Sequence, residues 1–103
     1  MNVRIGINGF GRMGRLGLRA GWRELGRSFG HINEIACDAE GSAHLLKFDS
    51  VHGIWPQDCG HDKGALRIGD TTIPYTEHAA IGDTDWSHCD IVIDATGQHR
   101  RLE

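Results

Sequence analysis

The 103-residue chain lacks an excess of one charge, a long apolar segment and a set of paired cysteines. Its formal net charge is −3, with both signs interspersed, so charge favours neither nucleic acid nor an anionic membrane as a partner. No apolar run approaches the roughly 20 residues that span a membrane, and no signal peptide is recognisable. We therefore expect a cytoplasmic protein with no nucleic-acid or membrane partner.

Cysteine is scarce: Cys37, Cys59 and Cys89 make an odd number without close pairing. This usage is typical of reduced thiols in a reducing compartment, so we expect no disulfide. Cys59-Gly60-His61 and His88-Cys89 lack the spacing of a zinc site, and we expect no metal centre. Repeats and low-complexity segments are also absent, and the length suits one small domain.

Glycine, in contrast, is abundant, and three glycines form the pattern Gly-x-Gly-x-x-Gly directly after the apolar run at residues 3–7. The run predicts a buried strand, and the glycines predict a sharp turn into a helix, as in dinucleotide-binding loops. Gly9 suits the turn, Gly11 admits a pyrophosphate to the backbone, and Gly14 lets the helix pack close to the strand. Unpaired N–H groups at the helix start would then bind the phosphates.

A second apolar run, residues 30–36, predicts the next strand and carries an acidic residue where such domains place the adenosine ribose. Glu34 stands there. A carboxylate accepts hydrogen bonds from ribose hydroxyls and repels a 2′-phosphate, so Glu34 favours NAD over NADP. The alternative is that Glu34 is a solvated charge at the end of a strand.

The rest of the chain continues this alternation of helices and strands. We predict a first helix over residues 11–25, stopped by Gly26, with Met13, Leu16 and Ala20 as an apolar row. Further along we predict a short helix capped by Asp38 and then a poorly ordered stretch through residue 64. A hairpin should follow over residues 65–75, turning at Gly69-Asp70. We then predict one helical turn near Asp85-Trp86 and a last strand over residues 90–95 that is covered on both faces.

This order predicts an α/β fold: a Rossmann-like domain with an incomplete doubly wound, mostly parallel sheet and an inserted β-hairpin. Ligands of such sheets bind outside the carboxyl ends of the strands. Residues 9–14, Glu34 and Thr96-Gly97 all lie at the carboxyl ends of predicted strands. We therefore expect them to form one crevice.

Three segments resemble one family, the phosphorylating glyceraldehyde-3-phosphate dehydrogenases, in order and spacing: residues 8–15, 46–53 and 90–97. The resemblance implies that backbone amides from Phe10 to Met13 hold the pyrophosphate of NAD, that Asn33 and Glu34 meet the adenosine, and that Thr96 and Gly97 line the nicotinamide side. The cofactor-binding residues that we expect are Asn8, Gly9, Phe10, Gly11, Arg12, Met13, Gly14, Asn33, Glu34, Thr96 and Gly97.

Residues 31–34, 42–46 and 78–80 look most like a branch of that family associated with arsenic resistance, whose members are implied to use arsenate in place of phosphate. The anion pocket that would choose between the two lies outside this sequence. His78-Ala79-Ala80 also stands where the family often carries Arg-Asp-Pro near the adenine.

The family continues beyond Thr-Gly to a Ser-Cys-Thr-Thr-Asn-Cys segment and a second domain with the catalytic His, and neither is in this sequence. We therefore expect residues 1–103 to be the amino-terminal part of an NAD-binding domain, without catalytic residues and silent alone, from a homo-oligomeric full-length protein. One alternative is a free-standing nucleotide-binding or interaction module completed by another chain. Another is a different Rossmann dehydrogenase, which residues 47–53 argue against.

Overall fold

The computed structural model describes residues 3–22, 27–49, 53–79 and 81–96. The elements follow one another as β1 (Val3–Asn8), α1 (Arg12–Gly21), β2 (Arg27–Asn33), α2 (Ala39–Lys47), β3 (Phe48–Asp49), β4 (Gly53–Ile54), β5 (Cys59–Asp62), β6 (Ala65–Ile68), β7 (Thr71–Ile73), β8 (Tyr75–Thr76), a 3-10 helix (Ile81–Asp83) and β9 (Ile91–Asp94). Within these ranges no helix has both the length and the apolar character needed to cross a membrane.

Four strands form a parallel sheet in the order β8-β2-β1-β9, which confirms the predicted Rossmann-like fold. The last strand, β9, lies at the edge of this sheet. Ile91 and Ile93 are 52% and 48% exposed, so the expectation that this strand is covered on both faces is wrong. Ile93 borders an open cavity that the described residues leave beside α1.

The second strand lies earlier than predicted, at Arg27–Asn33 rather than residues 30–36. Its pairing with β1 contains a bulge: Ile5 pairs with Phe29, but Gly6 pairs with His31. One extra residue reverses the alternation of side chains. Phe29 consequently joins the apolar core, whereas His31 packs against Trp86 and His88.

The first helix packs on the sheet through Gly14 and Leu18, which are buried. Met13 is 72% exposed, so the apolar row predicted from it is wrong. Met13 instead borders an open cavity between α1 and β9. The helix ends at Gly21, and the predicted stop at Gly26 lies outside the described residues.

The second helix begins as predicted, because the Asp38 side chain accepts a hydrogen bond from the Gly41 N–H at 2.9 Å. Its buried residues Ala43 and Leu46 belong to the same core as Leu66, Ile68 and Ile73 of the inserted sheet. This core joins the insertion to the parallel sheet.

The insertion is a three-stranded antiparallel sheet, β5-β6-β7, and not only a hairpin. The turn at Gly69-Asp70 is confirmed, but β5 falls in the stretch predicted to be poorly ordered. Lys63 and Gly64 connect β5 to β6 with φ values of 52° and 81°. Two consecutive positive φ angles are the signature of a tight hairpin turn, and a Lys-Gly pair signals it only weakly in sequence.

The chain leaves the inserted sheet at Pro74, a residue that cannot donate to a strand ladder. The Pro74 carbonyl accepts a hydrogen bond from the Ile32 N–H at 2.9 Å. Tyr75 and Thr76 therefore form β8 of the parallel sheet, whereas Tyr75 was predicted to end the hairpin. The predicted helical turn near residue 85 is instead the 3-10 helix at Ile81–Asp83.

Candidate cofactor crevice

A crevice of about 260 Å³ lies where β1, β2 and β9 end. Four separated parts of the chain form it, and the sequence predicted three of them. Its lining residues are Asn8, Gly9, Gly11, Asn33, Glu34, Ile35, His78, Ala79, Ala95 and Thr96.

Gly9 makes the turn out of β1 with a φ of +96°, which confirms the predicted role of this glycine. A Cβ at this position would lie 2.6 Å from the Thr96 nitrogen, so the ends of β1 and β9 touch here. The Gly9 N–H also donates to the Asn33 carbonyl at 2.7 Å. The turn is thereby tied to both neighbouring strands.

The other two glycines of the pattern differ in what surrounds them. A Cβ on Gly14 would collide with the Gly9 carbonyl oxygen, so the close approach of helix and turn requires glycine there. A Cβ on Gly11 would meet nothing within 4 Å. The space beside Gly11 is therefore open to a ligand, whereas Gly14 serves the packing of the fold.

The amino-terminal end of α1 opens on this space without a side-chain cap. Gly11 is the N-cap residue, no side chain caps it, and the first turn contains no acidic residue. The first N–H groups of a helix have no partner within it, and they carry the positive end of the helix dipole. Arg12 adds a positive charge at the same end. This end of the helix can bind an anion such as a phosphate.

Glu34 joins the end of β2 to the glycine turn. One carboxylate oxygen accepts a hydrogen bond from the Phe10 N–H, and the other accepts one from the Ala36 N–H at 2.8 Å. The Phe10 N–H therefore already has a hydrogen-bond partner within the protein. The Phe10 residue is 1% exposed and belongs to the core. Glu34 is half-buried at the rim of the crevice, where its charge can meet a ribose.

Asn33 lies beneath the crevice and is 2% exposed. Its amide nitrogen donates to Asn8 Oδ1 at 2.9 Å and to the His78 carbonyl at 2.8 Å. Its amide oxygen accepts from the Thr76 hydroxyl at 2.6 Å and from the His78 N–H at 2.9 Å. All four hydrogen-bonding positions are occupied by protein, so Asn33 fixes the crevice wall.

The predicted site residues do not all line one cavity. Arg12, Met13 and Gly14 border a second, more apolar cavity of about 710 Å³ between α1 and the edge of the sheet. Gly11 and Thr96 border both cavities. Gly97 lies outside the described residues.

Sequence reasoning missed how Thr76 and His78 contribute to the crevice through Asn33. The bend at Pro74 was the available signal, because a chain leaving the hairpin there can enter the parallel sheet. Because β8 is a further parallel strand of this sheet, the residues after it lie at the same edge as residues 9–14.

The thiols carry no sign of a nucleophile. Cys37, Cys59 and Cys89 are unpaired. Burial raises the pKa of Cys59 and of Cys89, which is opposite to what an attacking thiolate needs. In the part of the chain that the structure describes, no three His, Cys, Asp or Glu side chains are placed to hold a metal ion.

These features define a dinucleotide-binding domain of the Rossmann class: a parallel sheet, a glycine turn, an uncapped helix start and a carboxylate at the end of the second strand. The sequence model of "Glyceraldehyde 3-phosphate dehydrogenase, NAD binding domain" matches residues 3–101. The chain belongs to this family of NAD-binding domains.

A curated relative from Nostoc sp. (strain PCC 7120 / SAG 25.82 / UTEX 2576), "Glyceraldehyde-3-phosphate dehydrogenase 3", is 45% identical over 102 residues. The match covers 97% of this chain and 30% of the relative. The chain thus spans about a third of the length of that protein.

Proposed function

We propose that the crevice binds NAD and that residues 1–103 are the amino-terminal part of the NAD-binding domain of a longer glyceraldehyde-3-phosphate dehydrogenase. The observation that carries this proposal is the open space beside Gly11 at the uncapped start of α1, with the Glu34 carboxylate and Thr96 at its borders. Asn8, Gly9 and Asn33 complete the proposed cofactor site. Gly97 is included through the family alone.

Different residues of this chain would serve different parts of NAD. N–H groups from Gly11 to Gly14 point at a phosphate position, and Arg12 adds positive charge there. Glu34 accepts from ribose hydroxyls and disfavours a 2′-phosphate through like charge. Gly9 and Gly14 allow the close contacts that hold these groups together. Bound NAD would supply the hydride acceptor, and this chain would orient it.

In the full-length protein we propose oxidation of glyceraldehyde 3-phosphate with phosphate, arsenate being the variant that the sequence resemblance suggested. We propose a cytoplasmic location, supported by three unpaired cysteines, and a homo-oligomeric full-length protein without a nucleic-acid partner. Catalytic groups would come from chain beyond residue 103, because partial burial raises the pKa values of Cys59 and Cys89.

Replacing Glu34 should change the preference between the two nicotinamide dinucleotides. Glu34→Ala removes charge-assisted hydrogen bonds, each worth about 1.5–3 kcal/mol, so NAD affinity should fall roughly 10- to 100-fold while rejection of NADP relaxes. Titration of the full-length protein with NAD and with NADP, followed by fluorescence or calorimetry, measures both constants.

Glu34→Gln is the matched control, because glutamine keeps an oxygen that can accept from the Phe10 N–H but loses the charge. It should relax rejection of NADP with a smaller loss of NAD affinity. Unchanged NAD and NADP affinities in both variants would remove Glu34 from the ribose site.

The purified 103-residue chain should show no oxidation of glyceraldehyde 3-phosphate with NAD and either phosphate or arsenate. The reason is that the family reaction needs an activated thiolate and a base, whereas burial raises the pKa values of Cys59 and Cys89. Absorbance of reduced nicotinamide measures the rate, with the full-length protein as positive control. Turnover by the chain alone would contradict this assignment.

Among the residues that the structure describes, no strand pairs with the outer edge of β9. This edge supports a second candidate, a module completed by another chain, because unpaired strand edges and exposed isoleucines favour strand addition. Solution mass discriminates between the candidates. A folded dimer of the purified chain favours the module, and an unfolded or aggregating chain favours a piece of a longer domain.

A further inference from the structure

A buried histidine lies under the cofactor crevice on the face of the sheet that residues 84–90 cover. His31 of β2 is 6% exposed. Its ring centroid is 5.1 Å from that of Trp86 and 5.2 Å from that of His88. The bulge between β1 and β2 turns His31 to this side of the sheet.

Hydrogen-bond donors fix which nitrogen of His31 carries the proton. The Thr76 hydroxyl gives its single proton to Asn33 Oδ1 at 2.6 Å. It must therefore accept from His31 Nε2, which lies 2.9 Å away. In the neutral ring Nε2 carries the hydrogen, and a second proton can enter only at Nδ1.

The second proton would have no acceptor. His31 Nδ1 is buried and has no hydrogen-bond partner among the described residues. Burial and the nearby His88 lower the pKa of His31 from its ordinary 6.5, with a smaller lowering from His78, while Asp85 acts in the opposite direction. A charged ring would have to move to find an acceptor, and that movement breaks its bond to Thr76.

The Thr76 bond leads directly to the crevice. Thr76 holds the Asn33 amide oxygen, and the Asn33 amide nitrogen holds both Asn8 Oδ1 and the His78 carbonyl. Asn8 and His78 line the crevice. The state of the His31 ring is therefore connected to the crevice wall through the half-buried Thr76 side chain and the buried Asn33 side chain.

We propose that His31 is a positioning residue of the cofactor crevice: its neutral ring holds the Thr76–Asn33 network that sets Asn8 and His78, and charging the ring weakens NAD binding. This inference rests on the proposed function, because it assigns a pH dependence to the same site. If only the neutral ring permits NAD binding, the affinity falls in proportion to the fraction of neutral His31. Because the pKa of His31 is lowered from 6.5, the loss at pH 5.5 is at most about tenfold.

The test is the NAD dissociation constant of the full-length protein between pH 8 and pH 5.5. Wild type should bind NAD more weakly as pH falls through the lowered pKa of His31. His31→Gln should bind NAD with little pH dependence, because its amide can donate to Thr76 but does not titrate. His31→Leu should bind more weakly at every pH, since it leaves Thr76 without its donor. His61→Gln, an exposed change in the inserted sheet, should follow wild type.

A proton titration of wild-type His31 by NMR gives a second readout that does not depend on any variant folding. By linkage, NAD should lower the pKa of His31. In the absence of NAD, the contribution of His31 to stability should be complete above pH 6.5 and be lost as pH falls through its lowered pKa.

A pH dependence in His31→Gln equal to that of wild type, or a His31 pKa that NAD does not move, would overturn this inference and leave NAD binding itself intact. Failure of wild type to bind NAD at pH 8 would overturn the proposed function together with the inference.

Discussion

Gly11→Val is expected to abolish NAD binding, with a loss of at least 100-fold, while the protein stays folded. The Gly11 backbone has φ −76° and ψ −160°, an extended conformation that valine adopts readily. The added Cβ would meet no protein atom within 4 Å, so it would occupy only the space proposed for the pyrophosphate. Equilibrium titration with NAD measures the loss, and circular dichroism measures the fold.

Gly17→Val is the matched control for this substitution. Gly17 lies in the same helix, is exposed, and would also place its Cβ in open space. Valine at the N-cap costs about 1 kcal/mol relative to a good capping residue, so Gly11→Val should lower stability slightly and Gly17→Val should not. Wild-type NAD affinity in Gly11→Val would mean that the phosphates bind elsewhere.

The sequence predicted the central crevice because its determinants are local. The spacing of Gly9, Gly11 and Gly14 requires a turn into a helix, and parallel strands bring their carboxyl ends to one edge. The structure places Glu34 and Thr96 at that edge. Neither the four-way use of the Asn33 amide nor the bond from Glu34 to Phe10 could be predicted, because both depend on side-chain positions set by distant strands.

The errors in the fold have identifiable physical causes. Residues 59–62 carry little apolar pattern, and they form a strand because β6 offers a partner across a two-residue turn. Periodicity predicts that Met13 lies on an apolar face of α1, but it does not predict which element covers that face. Met13 is exposed in the structure. The bulge at Gly30 turns the His31 side chain to the opposite face of the sheet. The sequence analysis did not predict this bulge.

Gly9→Ala is expected to destabilise the fold by on the order of 3 kcal/mol. The φ of +96° is strained for any residue with a Cβ, and strain of this kind costs about 1–3 kcal/mol. The added Cβ would also lie 2.6 Å from the Thr96 nitrogen and 2.8 Å from the Ala95 carbonyl carbon, both backbone atoms that cannot rotate away. The end of β9 would have to separate from β1, so NAD binding should fall together with the melting temperature.

Gly64→Ala separates the two causes of this loss. Gly64 has a φ of +81°, but a Cβ there would meet nothing within 4 Å. This variant therefore carries the backbone strain without the contact, and it should lose about 1 kcal/mol with unchanged NAD affinity. Chemical denaturation of both variants gives the difference, which is the cost of moving β9. Equal losses in Gly9→Ala and Gly64→Ala would mean that Thr96 yields freely and that β9 does not fix the crevice, because the contact would then add nothing to the strain.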